Sequence, residues 1–186
     1  FGTSGPRIVP RFFGSWDFPA NLCDQADMVG RGYEDGVPMG GDLAVAPTDG
    51  VPAFVAYAAR DPMGAPLERL QLIKGWVDAD GGQHAEVIDI AGAADNGAGV
   101  DLSTGRTNGT GGHDTLCTVY RDEAFDPAQP AYYYLRVVEN PTARWSVHDC
   151  LRLPEDERPA VCSDGSYPEV IHEMAWTSPI WYRPAE

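Results

Sequence analysis

Apolar and polar residues alternate with period two along much of this chain, and the alternating runs are bounded by Gly, Pro, Asn and Asp. That period sends successive side chains to opposite faces of an extended strand. RIVPRFFG (7–14) is β-branched and aromatic. PAFVAYAAR (52–60) sets Phe54, Ala56 and Ala58 against Val55 and Tyr57. LERLQLIKGWV (67–77) sets Leu70 and Leu72 against Gln71 and Ile73, and HAEVIDI (84–90) sets Val87 against Ile88. LCTVYRD (116–122) is short and rich in β-formers. AYYYLRVVEN (131–140) sets Tyr133, Leu135 and Val137 against Tyr132, Tyr134 and Arg136, and SPIWYR (178–183) closes the series. DADGG (78–82) reads as a hairpin connection, while NGAG (96–99) and NGTGG (108–112) supply residues that tolerate positive φ. Helical periodicity is weak, with one short helix expected inside ANLCDQADMVGRGY (20–33).

About seven or eight strands joined by long loops predict an all-β fold. The expectation is a two-sheet antiparallel β-sandwich, Ig-like or jelly-roll-like, with little helix, forming one domain over residues 1–186. No internal repeat or long linker divides it. The chain closes on AWTSPIWYRP (175–184), although chain ends are usually polar. A strand over Ser178–Tyr182 packed into the core accounts for this. Trp16, Trp76, Trp145, Trp176 and Trp181, with Tyr132–Tyr134, either fill the space between sheets or build a sugar-binding platform on one face. Core is the expectation for this set, because each of these residues except Trp16 and Trp145 lies inside a strand-like run.

Composition narrows the choice of partners. Gly 21 and Pro 16 are about a fifth of the 186 residues, which suits turns and disfavours a helical bundle. A net charge of -15 repels phosphate backbones and anionic membranes, so nucleic acid is excluded as a partner. No run approaches the roughly 20 apolar residues of a membrane span. The start FGTSGPRI reads as the middle of a longer polypeptide. Cys23, Cys117, Cys150 and Cys162 form no C-x-x-C pair. They are compatible with two disulfides in an oxidising compartment, for which three pairings exist. Cys150–Cys162 is preferred because it orders the loop LRLPEDERPAV, which leaves Cys23 for Cys117; four reduced cysteines are the alternative.

The chemistry-bearing motifs are sparse. Asp78 and Asp80 begin like a calcium loop, but Gly82 stands where a third ligand belongs and Glu86 comes too early for an EF-hand. A looser oxygen cage from Asp95, Asn96 and Asp101 is the other calcium candidate, with solvated loop tips as the plain alternative. His84, His113, His148 and His172 lack metal-hydrolase spacing, although His172 and Glu173 are placed to pair across strands. No G-x-S-x-G or S-x-x-K supplies a nucleophile. The N-terminal run carries more apolar residues than one strand face can bury. Ile8, Phe12, Phe13 and Trp16 are therefore expected to form an interface with another copy or a partner, unless the chain folds them over the sandwich edge.

TSGPRIVPRFFGSWDFP, GYEDGVPMGGDL, RDPMGAPLERLQLIKGWVDADG, ADNGAGVDL, FDPAQPAYYYLRVVENP, RWSVHDC and AWTSPIWY resemble the C-terminal third of a bacterial family of unknown function. That family is similar to the PHP-like (polymerase and histidinol phosphatase) metallohydrolases, and the ending resembles the C-terminal sandwich of CehA/McbA-type hydrolases. The resemblance implies an upstream catalytic barrel that holds divalent metals through His and Asp/Glu ligands. The barrel motifs, of the G-D-L-H-x-H and S-D-x-H type, do not occur in this chain. The chain is therefore expected to be a non-catalytic accessory sandwich that needs no cofactor beyond a possible Ca²⁺. Its partners would be the barrel of the same polypeptide or copies of itself, in the periplasm or outside the cell. The alternative is an independent extracellular structural module.

Overall fold

The computed structural model describes residues 1–185. Eight strands carry the fold: β1 (Val9–Ser15), β2 (Ala53–Ala59), β3 (Leu67–Val77), β4 (Gln83–Gly92), β5 (Thr115–Arg121), β6 (Ala131–Glu139), β7 (Met174–Trp176) and β8 (Ile180–Tyr182). They form two antiparallel sheets. One runs Gly2–Thr3, β7, β6, β3, β4, with β8 also paired to β6; the other runs Val37–Pro38, β1, β2, β5. The expected all-β sandwich is what the chain adopts. The β3–β4 hairpin turns at Asp78–Gly82, where Asp78 Oδ1 accepts the main-chain N–H of Asp80 and Gly82 at 3.0 and 2.7 Å, and Gly81 takes φ +82°. An Asx-type cap on a positive-φ glycine is what DADGG supplies.

Alternation decides which side chains meet between the sheets. Phe12, Phe54, Ala56, Leu70, Leu72, Tyr133, Leu135, Val137, Ile180 and Tyr182 form the main core. Phe54 packs at 4.3 Å from the Tyr133 ring and 5.6 Å from Phe12. Each such side chain contributes roughly 1.5–3 kcal/mol by leaving water. One polar group crosses this apolar layer. Lys74 Nζ pairs with Asp122 Oδ2 at 2.6 Å and donates to the Ala124 carbonyl at 3.2 Å, and the Tyr133 hydroxyl donates to the same Asp122 oxygen at 2.7 Å. Burial and the Asp122 charge push the Tyr133 phenol well above its ordinary pKa, so it stays a donor. This triad ties β3 and β6 of one sheet to the end of β5 in the other.

The N-terminal aromatics behave differently from the expected interface. Ile8, Phe12 and Phe13 are buried within the chain, and Trp16 is half-buried against Phe125 and Tyr182. Phe12 faces the main core, while Phe13 faces the outer side of the four-stranded sheet and enters a second core. That core is closed by residues 18–34: Phe18, a 3₁₀ turn at Leu22–Asp24, and the helix α1 (Met28–Glu34). The chain thus folds its own aromatics over the sandwich rather than leaving a patch. Cys23 bonds Cys117 of β5 on the same face, and Cys150 bonds Cys162, as preferred from loop length. Disulfides persist in oxidising compartments, outside the cytoplasm.

Three further expectations need correction. A helix α2 (Trp145–Arg152) forms where none was predicted. None of the tryptophans is fully buried. Trp176 and Trp181 lie 36% and 41% exposed, because alternation turns Ala175, Ile180 and Tyr182 inward instead. Trp76 is half-buried at the core's edge, with its ring on His84. The terminal strand is shorter than expected, Ile180–Tyr182, and still seats its inward residues in the core. No helix among the described residues is long and apolar enough to cross a membrane.

Candidate functional site

The outer face of the six-stranded sheet carries the alternate residues of β3, β4, β6, β7 and β8. Strand register arranges them in rows. Trp181, Tyr132, Gly75 and Ala85 form one row; Tyr134, Ile73 and Val87 form the next; Trp176, Arg136, Gln71 and Asp89 form the third. Rows on one face stand about 7 Å apart, two residues along each strand.

Glycine at 75 shapes the first row. A Cβ there would stand 2.2 Å from the Tyr132 ring, so the ring lies across β3 over the bare main chain. Tyr134 lies within 12° of parallel to Tyr132, centroids 6.4 Å apart, and Trp181 stands beside Tyr132 at 5.5 Å and 55°. Together these make an aromatic terrace with a tilted wall. A groove of about 670 Å³ opens over Gly75 and Ala85, with Tyr132, Trp181, Gln83 and Arg183 at its sides.

The third row is polar and already ordered. Arg136 Nε donates to Gln71 Oε1 at 2.7 Å, Gln71 Nε2 donates to Asp89 Oδ1 at 2.7 Å, and Arg69 Nε approaches the same oxygen at 3.3 Å. Arg136 is half-buried, and its two terminal nitrogens have no hydrogen-bond partner among the described residues. The face therefore combines flat apolar rings with pre-set donors and acceptors at one edge.

A second polar cluster lies where β3 and β6 end. The Glu139 carboxyl is buried against the Asp61–Pro66 loop, accepts the Ala65 N–H and leaves Oε1 without a partner. Burial, with Glu173 and Asp61 nearby, pushes its pKa up to about 7. His172 Nδ1 sits 3.1 Å from the Glu139 carbonyl and 3.6 Å from the Glu68 carboxylate, so Nδ1 carries the proton. His172 thus pairs with main chain and Glu68, while Glu173 accepts from the Ser4 hydroxyl and ties the N-terminus to β7.

The calcium candidates do not converge. Asp78 and Asp80 sit at the β3–β4 turn, where His84 Nε2 bonds Asp78 at 2.7 Å and holds its carboxyl below the ordinary range. Asp95 is exposed in the loop after β4, and Asn96 donates to the Asn140 side chain at 2.8 Å. Asp101 caps a distant hairpin turn through Ser103 and Thr104, which lower its pKa. No three His, Cys, Asp or Glu side chains among the described residues gather as a metal ion requires. The outer aromatic face was visible in the sequence as the platform reading of the Trp and Tyr runs, but core packing was preferred there. The Arg136–Gln71–Asp89 row had no sequence signal, since it joins three strands.

A family model described as Protein of unknown function (DUF3604) matches residues 1–184, and the chain belongs to that family. Nothing matches among curated proteins or among solved structures.

Proposed function

We propose that this member of the family is the non-catalytic accessory β-sandwich of a PHP-like, metal-dependent hydrolase. In this reading it packs on a catalytic barrel and shapes its rim, in the periplasm or outside the cell. The observation that carries it is the apolar surface around the Cys150–Cys162 disulfide. Trp145 and Tyr167 are 74% and 66% exposed there, next to exposed Leu153 and Val161, along a cleft of about 870 Å³. Isolated soluble domains rarely leave such a patch uncovered. The docking occupant is the barrel of the same polypeptide. In this reading the divalent metal and the hydrolytic step belong to that barrel, and His172, Glu173 and Asp78 of this chain serve structural pairs.

The test uses native material captured with an antibody to this chain. Its intact mass should exceed the chain's 20.1 kDa by at least one domain, and it should show divalent-metal-dependent phosphoesterase turnover. The purified chain alone should show none with Mn²⁺, Zn²⁺ or Mg²⁺. A native polypeptide of only 20.1 kDa, or turnover by the isolated chain, overturns the reading. The first of these outcomes would favour an independent extracellular module, which the self-contained double core supports.

A further inference from the structure

We propose that the outer face of the six-stranded sheet binds neutral glycan chains, with Tyr132 and Trp181 stacking on one sugar ring and the Arg136–Gln71–Asp89 row holding hydroxyls of a neighbouring sugar of the same chain. The inference goes beyond the accessory role above and needs no catalytic partner. It concerns a different surface from the Trp145 patch.

Three observations carry it together. First, the aromatic rings are displayed rather than packed. The Tyr132 ring lies over Gly75 and is half-buried, Tyr134 stands nearly parallel to it, and Trp181 beside it is 41% exposed. The negative face of an aromatic ring attracts polarised C–H groups. A pyranose ring presents C–H groups on its faces and hydroxyls around its rim. Second, a polar row stands two rows along the sheet, where the next sugars of a chain would present their rims. Arg136 offers free guanidinium donors, Asp89 is an exposed acceptor, and Gln71 is held between them by hydrogen bonds at 2.7 Å on both sides. Such a row is ordered before any ligand arrives, which lowers the entropy cost of binding. Gln83 and Arg183 provide further polar groups at the far end of the groove. Third, the dimensions and charge select the ligand class. A groove of about 670 Å³ falls within the range of small-molecule sites. The aromatic and polar rows, about 14 Å apart, span more than one sugar residue. The net charge of -15 disfavours uronate or sulfated polymers and leaves neutral chains. An apolar peptide has no use for the free Arg136 terminal nitrogens and the exposed Asp89 carboxylate.

Affinity electrophoresis in native gels tests this with the purified chain. The probes are galactomannan, glucomannan, xyloglucan, arabinoxylan and laminarin, with alginate as the anionic control. At least one neutral polysaccharide should retard the chain, and alginate should not. Trp181→Ala should weaken retardation at least tenfold. Gly75→Ala, which pushes Tyr132 off its seat without removing an aromatic, should weaken it likewise, and Arg136→Gln should weaken it several-fold. Trp145→Ala, on the other surface, should leave it unchanged. Near-UV circular dichroism establishes that each variant is folded, and because Arg136→Gln lies on the sheet surface it reports even if Gly75→Ala is unstable. No retardation by any neutral polysaccharide, retardation by alginate alone, or binding indifferent to all three face variants overturns the proposal. None of these failures bears on the mass and metal-dependent turnover of the native protein, which decide the accessory role separately.

Discussion

The two sheets present their outer faces to opposite fates. On the four-stranded sheet, the outward residues Phe13, Ala53, Val55 and Cys117 are covered by Phe18, Leu22 and Met28 from the chain's own segment 18–34. That cover is bonded to the sheet by Cys23–Cys117 across 94 residues of sequence. On the six-stranded sheet, the outward residues Tyr132, Tyr134, Val87, Trp176 and Trp181 have no such cover, and the last three are exposed. Both faces are apolar and both arise from the same alternation. The difference teaches that an apolar outer face is a stability element where the chain covers it and a binding element where it does not.

The sharpest break of this comparison is a matched pair of truncations. Phe13→Ala on the covered face should cost about 3–5 kcal/mol, the range for an aromatic removed from a core. Trp181→Ala on the open face should cost about 1 kcal/mol or less. Urea unfolding measures both, and equal losses would mean that the open face is also structural. Phe13→Ser should lower stability without changing sedimentation, since Phe13 is not at a surface.

Removing disulfides separates the two regions next. Loop-closure entropy gives about 4–5 kcal/mol for the 94-residue separation of Cys23–Cys117 and about 3 kcal/mol for the 12-residue separation of Cys150–Cys162. Cys23→Ala/Cys117→Ala should therefore lower global stability and free the cover, seen as faster hydrogen exchange in β1 and β5. Cys150→Ala/Cys162→Ala should loosen only α2 and its loop, leaving those amides protected. Matching exchange patterns for the two variants would contradict the assignment of the cover to the first disulfide.

Glu139 sharpens the comparison within the six-stranded sheet, because one end of it hides a carboxyl while its middle lies open. The folded pKa of about 7 stands above the ordinary 4.5. The contribution of the protonated group is complete below about pH 4.5 and is lost as pH rises through 7, when a buried charge must form. Glu139→Gln keeps an acceptor for Ala65 without titrating. It should match the parent near pH 4.5 and exceed it by about 1–3 kcal/mol at pH 8. A difference independent of pH would show that folding does not raise the Glu139 pKa.

Strand positions were legible because each depends on neighbours two residues apart. Leu67–Val77 matches its alternating run residue for residue, and Tyr133 and Leu135 face inward as their spacing required. The hairpin at Asp78–Gly82 and the short Cys150–Cys162 loop are local in the same way. Helix α2 was not legible. It has eight residues, its apolar stripe of Val147, Cys150 and Leu151 is a single turn long with Val147 alone buried, and Arg144 before it offers no side-chain cap, so the stripe is short and the start signal is missing.

The sequence by itself thus determined which residues alternate, where the strands turn, and that Phe12 opposes Phe13 and Tyr133 opposes Tyr132. Only the tertiary structure decided which of the paired faces would be covered. Phe13 and Tyr132 carry the same signal, an aromatic on the outward side of a strand. Phe13 is buried because residues 18–34 return across it, and Tyr132 stays half-buried because no segment among the described residues returns across its face. The burial of Glu139 under the Asp61–Pro66 loop and the joining of Arg136, Gln71 and Asp89 across three strands are of the same kind. Such contacts join residues far apart in the chain, and their formation depends on loop closure and packing rather than on any local period.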